Sequence, residues 1–198
     1  MSDYFTVFGL PRKLGVDGEA LQRRFYELSR QHHPDFHQGA DVERQAETLA
    51  RSALVNRAYC ALRDPLSRVE YLIALEGGRE VREEATDKPR APRELLEEML
   101  EVQEVLEEAR AEGLGGEAAP RLRQERTRLE ARYAAESEAV LGRSAEWDRL
   151  VDEGGDRKPL LAWFKQRLAT RAYLRTVIDD LSEALGEREE GHVPHRRH

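Results

Sequence analysis

The tripeptide His33-Pro34-Asp35 follows a basic helical segment and precedes a longer one. Proline restricts the residue before it to extended conformations, so the helix that runs through Leu28 is predicted to end near His33. An imidazole, a rigid ring and a carboxylate then stand together at a helix C-terminus, where the helix dipole favours positive charge. Such a turn either only ends the helix or is a recognition site, and the sequence on both sides must decide between the two.

The segment before the turn predicts an amphipathic helix that Asp17 caps. Its apolar stripe recurs at helical spacing: Leu21, Phe25, Leu28 and His32. Arg23 and Arg30 lie opposite this stripe, and Arg24 flanks it. These arginines form either an ordinary solvated face or, on an acidic chain, a small basic surface that suits an acidic partner.

A long helix is predicted after the turn, from about residue 41 to residue 62. One apolar stripe on it comprises Val42, Ala46, Leu49, Ala53 and Cys60. Val55, Tyr59 and Leu62 widen the stripe, so we expect the helix to be packed on more than one side and Cys60 to be a small core residue. Asp64 and Pro65 start a further helix as its cap and first residue, and Gly77-Gly78 end it. Residues 3–10 are predicted to form a short helix rather than a strand, because no neighbouring strand could pair with them.

The composition indicates helices with large solvated faces. Of the 198 residues 36% are charged and 7% are aromatic, and the formal net charge is -7. This charge argues against a general nucleic-acid or membrane binder. One cysteine allows neither an intramolecular disulfide nor a Cys-rich metal site. No stretch resembles a signal peptide or a membrane span, so a cytoplasmic location is expected.

The remainder of the chain predicts a second helical domain. Residues 77–91 form a polar linker with Pro89, three long helices follow at about 92–112, 119–141 and 158–186, and a shorter one lies near 145–152. The tail from Glu187 to His198 is polar and is predicted to be frayed. The expected fold is all-α, with an N-terminal helical domain (1–76) followed by a three-helix bundle (92–186).

Two leucines fall outside the packing stripe of the helix at 92–112. That stripe comprises Leu95, Met99, Val102, Leu106 and Ala109. Leu96 and Leu100 sit roughly 100–140° around the helix from it, next to an acidic ridge. The ridge comprises Glu97, Glu101, Glu104 and Glu108. The pair is therefore either a widened core edge or an exposed binding surface with an apolar anchor and a charged rim. Phe164 is expected in the core unless it neighbours these leucines.

Residues 3–75 resemble a J domain. The supporting motifs are the His33-Pro34-Asp35 turn and the run Asn56-Arg57-Ala58-Tyr59-Cys60-Ala61-Leu62-Arg63-Asp64-Pro65, which resembles the pattern Asn-x-Ala-Tyr-x-x-Leu-x-Asp-Pro. Three further runs restrict the resemblance to one family of J-domain proteins: Asp3-Tyr4-Phe5-Thr6-Val7-Phe8-Gly9-Leu10, Pro65-Leu66-Ser67-Arg68-Val69-Glu70-Tyr71-Leu72 and Leu95-Leu96-Glu97-Glu98-Met99-Leu100-Glu101. Over about residues 2–186 the chain is similar to the iron–sulfur cluster co-chaperone HscB family.

The resemblance implies a co-chaperone that carries out no chemistry itself and needs neither cofactor nor metal. Its J domain would stimulate an ATPase chaperone of the HscA/DnaK type through Arg24, Arg30, His33, Pro34 and Asp35. Its bundle would bind an IscU-type scaffold protein through Leu96, Leu100, Glu101, Glu104, Glu108 and Phe164. Glu97 departs from the apolar residue of relatives, and Phe36 replaces a common lysine.

Three alternative functions follow from the same sequence. One is a J protein that brings a different client to a general DnaK-type chaperone. An enzymatic or metal-binding role for His33 or His37 is disfavoured, because no ligand set is completed. A nucleic-acid-binding role is disfavoured by the net charge, since the basic run at 195–198 is short.

Overall fold

Every regular element in the described part of the chain is helical, which confirms the all-α fold class. The computed structural model describes residues 3–33, 41–77, 95–112, 115 and 118–187. The helices are α1 (Tyr4–Val7), α2 (Gly18–Gln31), α3 (Val42–Arg63), α4 (Pro65–Glu76), α5 (Leu96–Glu112), α6 (Ala118–Gly142), α7 (Ser144–Glu153) and α8 (Lys158–Ala184). Over these ranges, no helix has the length and apolar character that crossing a bilayer requires.

Aspartate caps start the N-terminal helices where the sequence predicts them. The Asp17 side chain accepts hydrogen bonds from the backbone amides of Glu19 and Ala20 and so caps α2. Asp64 accepts from Ser67 N at the start of α4, with Pro65 in the first turn. Residues 4–7 form a helix rather than a strand, which confirms the choice made from the sequence.

The described helices divide into two compact units whose limits differ from the predicted domains. The first unit comprises Met1–Glu83 and Val140–Phe164, and the second comprises Glu84–Ala139 and Lys165–His198. Residues 140–164 were predicted to belong to the three-helix bundle, but they lie in the first unit. The predicted linker lies outside the described residues except for Gly77.

In the first unit, α7 holds the segment that leads from α1 into α2. Asp148 accepts hydrogen bonds from Leu14 N at 2.6 Å and from Gly15 N at 2.7 Å. The indole Nε1 of the buried Trp147 donates to the carbonyl oxygen of Arg12 at 3.0 Å. A Cβ on residue 15 would lie 2.6 Å from Asp148 Oδ2, so this contact requires glycine.

A buried arginine completes this anchor from α4. Arg68 is 4% exposed, and its guanidinium donates to the carbonyl oxygens of Leu62 and Leu14. Burial lowers the pKa of Arg68, while the charges of Asp64 and Asp148 oppose this effect. Leu14 thus has its carbonyl bound by α4 and its amide bound by α7.

The packing of α2 on α3 corrects the sequence interpretation of α3. The rings of Phe25 and Tyr59 stack with centroids 4.1 Å apart. The side chains that α3 buries are Thr48, Val55, Ala58 and Leu62. The stripe predicted to be core points the other way: Val42, Leu49 and Cys60 are all exposed. The prediction failed because both faces of α3 carry apolar residues at helical spacing, and α2 packs on only one of them.

The second unit is built around one apolar cluster, as the sequence predicts. It comprises Leu95, Met99, Val102, Leu106, Ala109, Leu122, Leu129, Leu174, Val177, Ile178, Leu181 and Leu185. Glu187, predicted to start a frayed tail, instead accepts hydrogen bonds from Arg123 and Arg126. These bonds lower the pKa of Glu187. The rest of the tail lies outside the described residues.

Replacing Asp148 with asparagine should destabilise the first unit. The Asp148→Asn amide keeps the shape but offers one acceptor for two amides, so we expect a loss of about 1–3 kcal/mol in unfolding free energy. Both tryptophans of the chain, Trp147 and Trp163, lie in the first unit, so urea unfolding followed by tryptophan fluorescence reports on that unit.

The matched control for this prediction is Asp152→Asn on the same helix. Its carboxylate pairs with Lys13 Nζ at 2.6 Å but is largely exposed, so the loss should stay below about 1 kcal/mol. Equal losses in the two variants would contradict the anchoring role of Asp148.

Candidate partner-binding surfaces

The end of α2 presents the predicted recognition turn to solvent as far as the structure describes it. The helix ends at Gln31 and His32 is its C-cap, which confirms the predicted stop. His33 is exposed, and its backbone amide lies 3.5 Å from the carbonyl oxygen of Arg30. Pro34 and Asp35 lie outside the described residues, so their predicted role stays a prediction.

The predicted basic face of α2 is also at the surface. Arg23, Arg24 and Arg30 are all exposed. Arg24 Nη1 lies 2.8 Å from Glu27 Oε2, and Arg23 Nη1 lies 3.5 Å from Glu19 Oε2. Exposed pairs of this kind contribute about 0–1 kcal/mol, so an acidic partner could replace the intrahelical carboxylates at little cost.

An aromatic side chain next to this face escaped the sequence interpretation. Tyr26 is 59% exposed, and its ring centroid lies 5.7 Å from that of Phe25. Its position, one residue after the stripe residue Phe25, is the signal that could have identified it.

On α5 the structure decides between the two interpretations of Leu100. Leu100 is 60% exposed, whereas the five stripe residues from Leu95 to Ala109 are buried. Leu100 is therefore not a core edge but an apolar side chain at the surface. Leu96 lies in the same helix, but its side chain is outside the described part of the structure.

The acidic residues around Leu100 form an exposed rim. Glu101, Glu104 and Glu108 are all exposed, and Glu108 Oε2 lies 3.7 Å from Arg121 Nη1. The sequence interpretation missed Glu107, which is also exposed. By the helical repeat, Glu107 points closer to the direction of Leu100 than Glu101 or Glu108 does, and this spacing could have identified it. We call Leu100, Glu101, Glu104, Glu107 and Glu108 the α5 surface.

Phe164 does not belong to any surface. Its side chain is 0% exposed, and its ring centroid lies 6.3 Å from that of the buried Trp147. A side chain enclosed in this way cannot contact a partner directly, so the prediction that Phe164 binds a scaffold protein is not supported. The sequence interpretation that put Phe164 in the core describes its position correctly.

The described residues contain no group of three or more His, Cys, Asp or Glu side chains that could hold a metal ion. Each candidate surface consists of exposed side chains on one helix of one unit. Such surfaces suit binding to another macromolecule. The predicted residues of α2 lie on the first unit, and those of α5 lie on the second.

A helical hairpin whose first helix ends close to an exposed histidine, together with a second helical unit, agrees with the resemblance to a J domain that the sequence motifs indicate. The structure resembles the chaperone HscB from Vibrio cholerae with a TM-score of 0.60 and 22% identity, over 94% of this chain and 99% of that one. It resembles the human co-chaperone protein HscB with a TM-score of 0.61 and 27% identity, over 92% of this chain and 82% of that one. These solved structures share the fold of this chain and agree with its resemblance to the HscB family. No protein-family model matches the sequence.

Truncation of Phe164 should destabilise the first unit. Phe164→Ala removes a fully buried ring, and such changes cost about 3–5 kcal/mol because of lost burial and the cavity left behind. Urea unfolding followed by tryptophan fluorescence measures this loss.

Lys165→Ala serves as the control because the lysine is an exposed neighbour. Its unfolding free energy should change by no more than about 0.5 kcal/mol. An unchanged stability of Phe164→Ala would show that the ring is not enclosed and would reopen its role as a contact residue.

Proposed function

We propose that the protein is a co-chaperone of iron–sulfur cluster assembly. Its first unit docks on an ATPase chaperone of the HscA/DnaK type and stimulates ATP hydrolysis. Its second unit binds an IscU-type scaffold protein and delivers it to that chaperone. The observation that carries the proposal is that Leu100 is exposed, whereas the apolar stripe of the same segment, from Leu95 to Ala109, is buried.

The chaperone part of the proposal is supported by the charge of α2. The chain has a net charge of -7, yet the exposed face of this helix carries Arg23, Arg24 and Arg30 against Glu19 and Glu27, a net charge of +1. A face that is more positive than the rest of the chain favours encounter with an acidic partner and makes that encounter sensitive to salt.

Stimulation requires more than attraction. A co-chaperone accelerates hydrolysis only if it binds the hydrolysing arrangement of the ATPase more tightly than the resting one. The exposed His33 at the end of α2 suits this role, because its ring can donate hydrogen bonds from a position that the helix dipole makes favourable for positive charge.

The scaffold part of the proposal rests on the α5 surface. An exposed leucine surrounded by carboxylates has the composition of an interface anchor with a polar rim. The complementary surface on the partner would offer an apolar pocket bordered by lysine or arginine side chains. Because both units belong to one chain, binding the scaffold raises its effective concentration at the docked chaperone.

Replacing His33 should abolish stimulation without unfolding the protein. His33→Gln changes an exposed side chain, so the melting temperature and helix content should be unchanged. The steady-state ATPase rate of a purified DnaK-type chaperone should no longer rise when the variant is added.

The control for His33→Gln is His195→Gln in the C-terminal tail, which should stimulate as the unaltered protein does. If His33→Gln unfolds, the turn is structural. If it stimulates fully, His33 has no part in the docking.

Truncating Leu100 should weaken scaffold binding alone. Leu100→Ala removes the proposed anchor. Truncating a residue of this kind in an interface weakens the binding free energy by about 1–2 kcal/mol, which is equivalent to a roughly 5–30-fold rise in Kd. Calorimetric titration with an IscU-type scaffold measures this change. The ATPase stimulation by the co-chaperone alone should be retained.

Gln124→Ala on α6 is the control, since it truncates an exposed side chain on a different helix of the same unit. Unchanged scaffold affinity in Leu100→Ala would remove the α5 surface from the interface. If the unaltered protein stimulates the chaperone but binds no scaffold, the alternative client role is favoured.

A further inference from the structure

The outward face of α3 carries an apolar row that no described residue covers. Val42 is 83% exposed and Leu49 is 62% exposed, and Ala46 between them is exposed as well. The three residues recur at i, i+4 and i+7, so they share one face of the helix. We call them the α3 ridge. By the helical repeat, its mean direction lies about 160° around α3 from that of the buried residues Thr48, Val55, Ala58 and Leu62.

The register of the two helices brings the ridge to the same end of the hairpin as His33. The stacked rings of Phe25 and Tyr59 set one level of the antiparallel pair. His33 follows Phe25 by eight residues, and Leu49 precedes Tyr59 by ten. At the helical rise, the end of α2 at Gln31 lies about 9 Å and Leu49 about 15 Å from that level, toward the same end, and His33 follows Gln31 by two residues.

The same geometry puts Leu49 and the exposed Tyr26 of α2 on one side of the hairpin. One residue forward from Phe25 corresponds to a rotation of about 100°, and ten residues back from Tyr59 to a rotation of about 80°, each away from the stacked rings. In an antiparallel pair these two rotations carry the side chains to the same side. The ridge residue Leu49 and the side of α2 that presents Tyr26 therefore face the same way.

We propose that the α3 ridge is a second docking surface for the ATPase chaperone, and that it receives an apolar strip beside the surface that contacts α2. This inference rests on the proposed function. In it, the arginines of α2 steer the encounter, His33 acts on hydrolysis, and the ridge contributes affinity by removing Val42 and Leu49 from water.

Two long polar segments of the chain offer no suitable cover for the ridge. Residues 78–94 and 188–198 contain one valine each and no other large apolar side chain besides proline, so burying Val42 and Leu49 under them would gain little. Phe36, six residues before Val42, is a larger apolar side chain. A cover by Phe36 would leave the affinity for the chaperone unchanged in a variant that lacks the ridge side chains.

A second copy of the chain is disfavoured by area. Specific interfaces bury roughly 1,200–2,000 Å² in total, and two large side chains supply only a small part of that. A partner that already contacts α2 and His33 gains the ridge as an extension of a larger interface.

Affinity and stimulation can be separated experimentally. Val42→Ala combined with Leu49→Ala truncates the ridge at exposed positions, so the fold should be retained. We expect the concentration of co-chaperone that gives half-maximal stimulation of a purified DnaK-type ATPase to rise roughly tenfold, as for the loss of an interface anchor. The maximal stimulated rate should be unchanged, because His33 is intact.

The matched control is Glu47→Ala combined with Arg51→Ala. These residues form an exposed ion pair at 3.2 Å on another face of α3, so the control also truncates two exposed side chains of that helix. Its half-maximal concentration should equal that of the unaltered protein.

Several outcomes would overturn the inference. An unchanged half-maximal concentration in the ridge variant would do so, as would an equal shift in the control. A dimer of the unaltered protein in sedimentation velocity, lost in the ridge variant, would assign the ridge to self-association. Failure of the unaltered protein to stimulate at all would overturn the proposed function as well, so the two failures are distinguishable.

Discussion

The carboxylate of Asp148 is the contact on which the first unit depends. It accepts hydrogen bonds from two consecutive backbone amides, Leu14 and Gly15, that lead into α2. Because Arg68 binds the carbonyl oxygen of Leu14, the backbone there is held from both directions. Loss of the carboxylate would leave the part-buried amide of Leu14 without its acceptor, and this is the main cost of breaking the anchor, because the exposed amide of Gly15 can bond to water. The entry point of α2, and with it the position of His33, follows from this anchor.

The sequence predicts those features that depend on neighbouring residues. Asp17 and Asp64 are correct helix caps because a cap bonds amides two or three residues away. The anchor could not be predicted, because Asp148 and Leu14 are 134 residues apart and an aspartate within a short helix has no distinctive local pattern. For the same reason residues 140–164 were assigned to the bundle. Their helical periodicity shows that they form helices but not which unit those helices pack on.

Exposed apolar side chains on α5 and α3 differ in whether the sequence predicts their exposure. On α5, one apolar stripe packs into the core cluster of the second unit, and Leu100 lies outside that stripe and is exposed. An exposed Leu100 is one of the two alternatives that the sequence predicts. On α3, two stripes compete, and the one that contains the larger number of small residues is exposed. The buried stripe holds Tyr59 against Phe25, and this ring stack favours that face over the one with Leu49. The spacing of apolar residues identifies the apolar faces of a helix, but the side chains of the neighbouring helix decide which of these faces is buried.

The distribution of charge gives the proposed partners a physical basis for discrimination. The exposed face of α2 carries three arginines and two glutamates, whereas the α5 surface carries four carboxylates. A partner with an acidic docking surface is repelled by the α5 surface but not by α2, and a basic partner is attracted to the α5 surface. Each apolar element then acts after the encounter, since Leu100 and the α3 ridge contribute only once water is excluded from them. Salt should therefore slow both associations, while truncation of an apolar anchor should mainly hasten dissociation, because screening acts at a distance and burial acts only in contact.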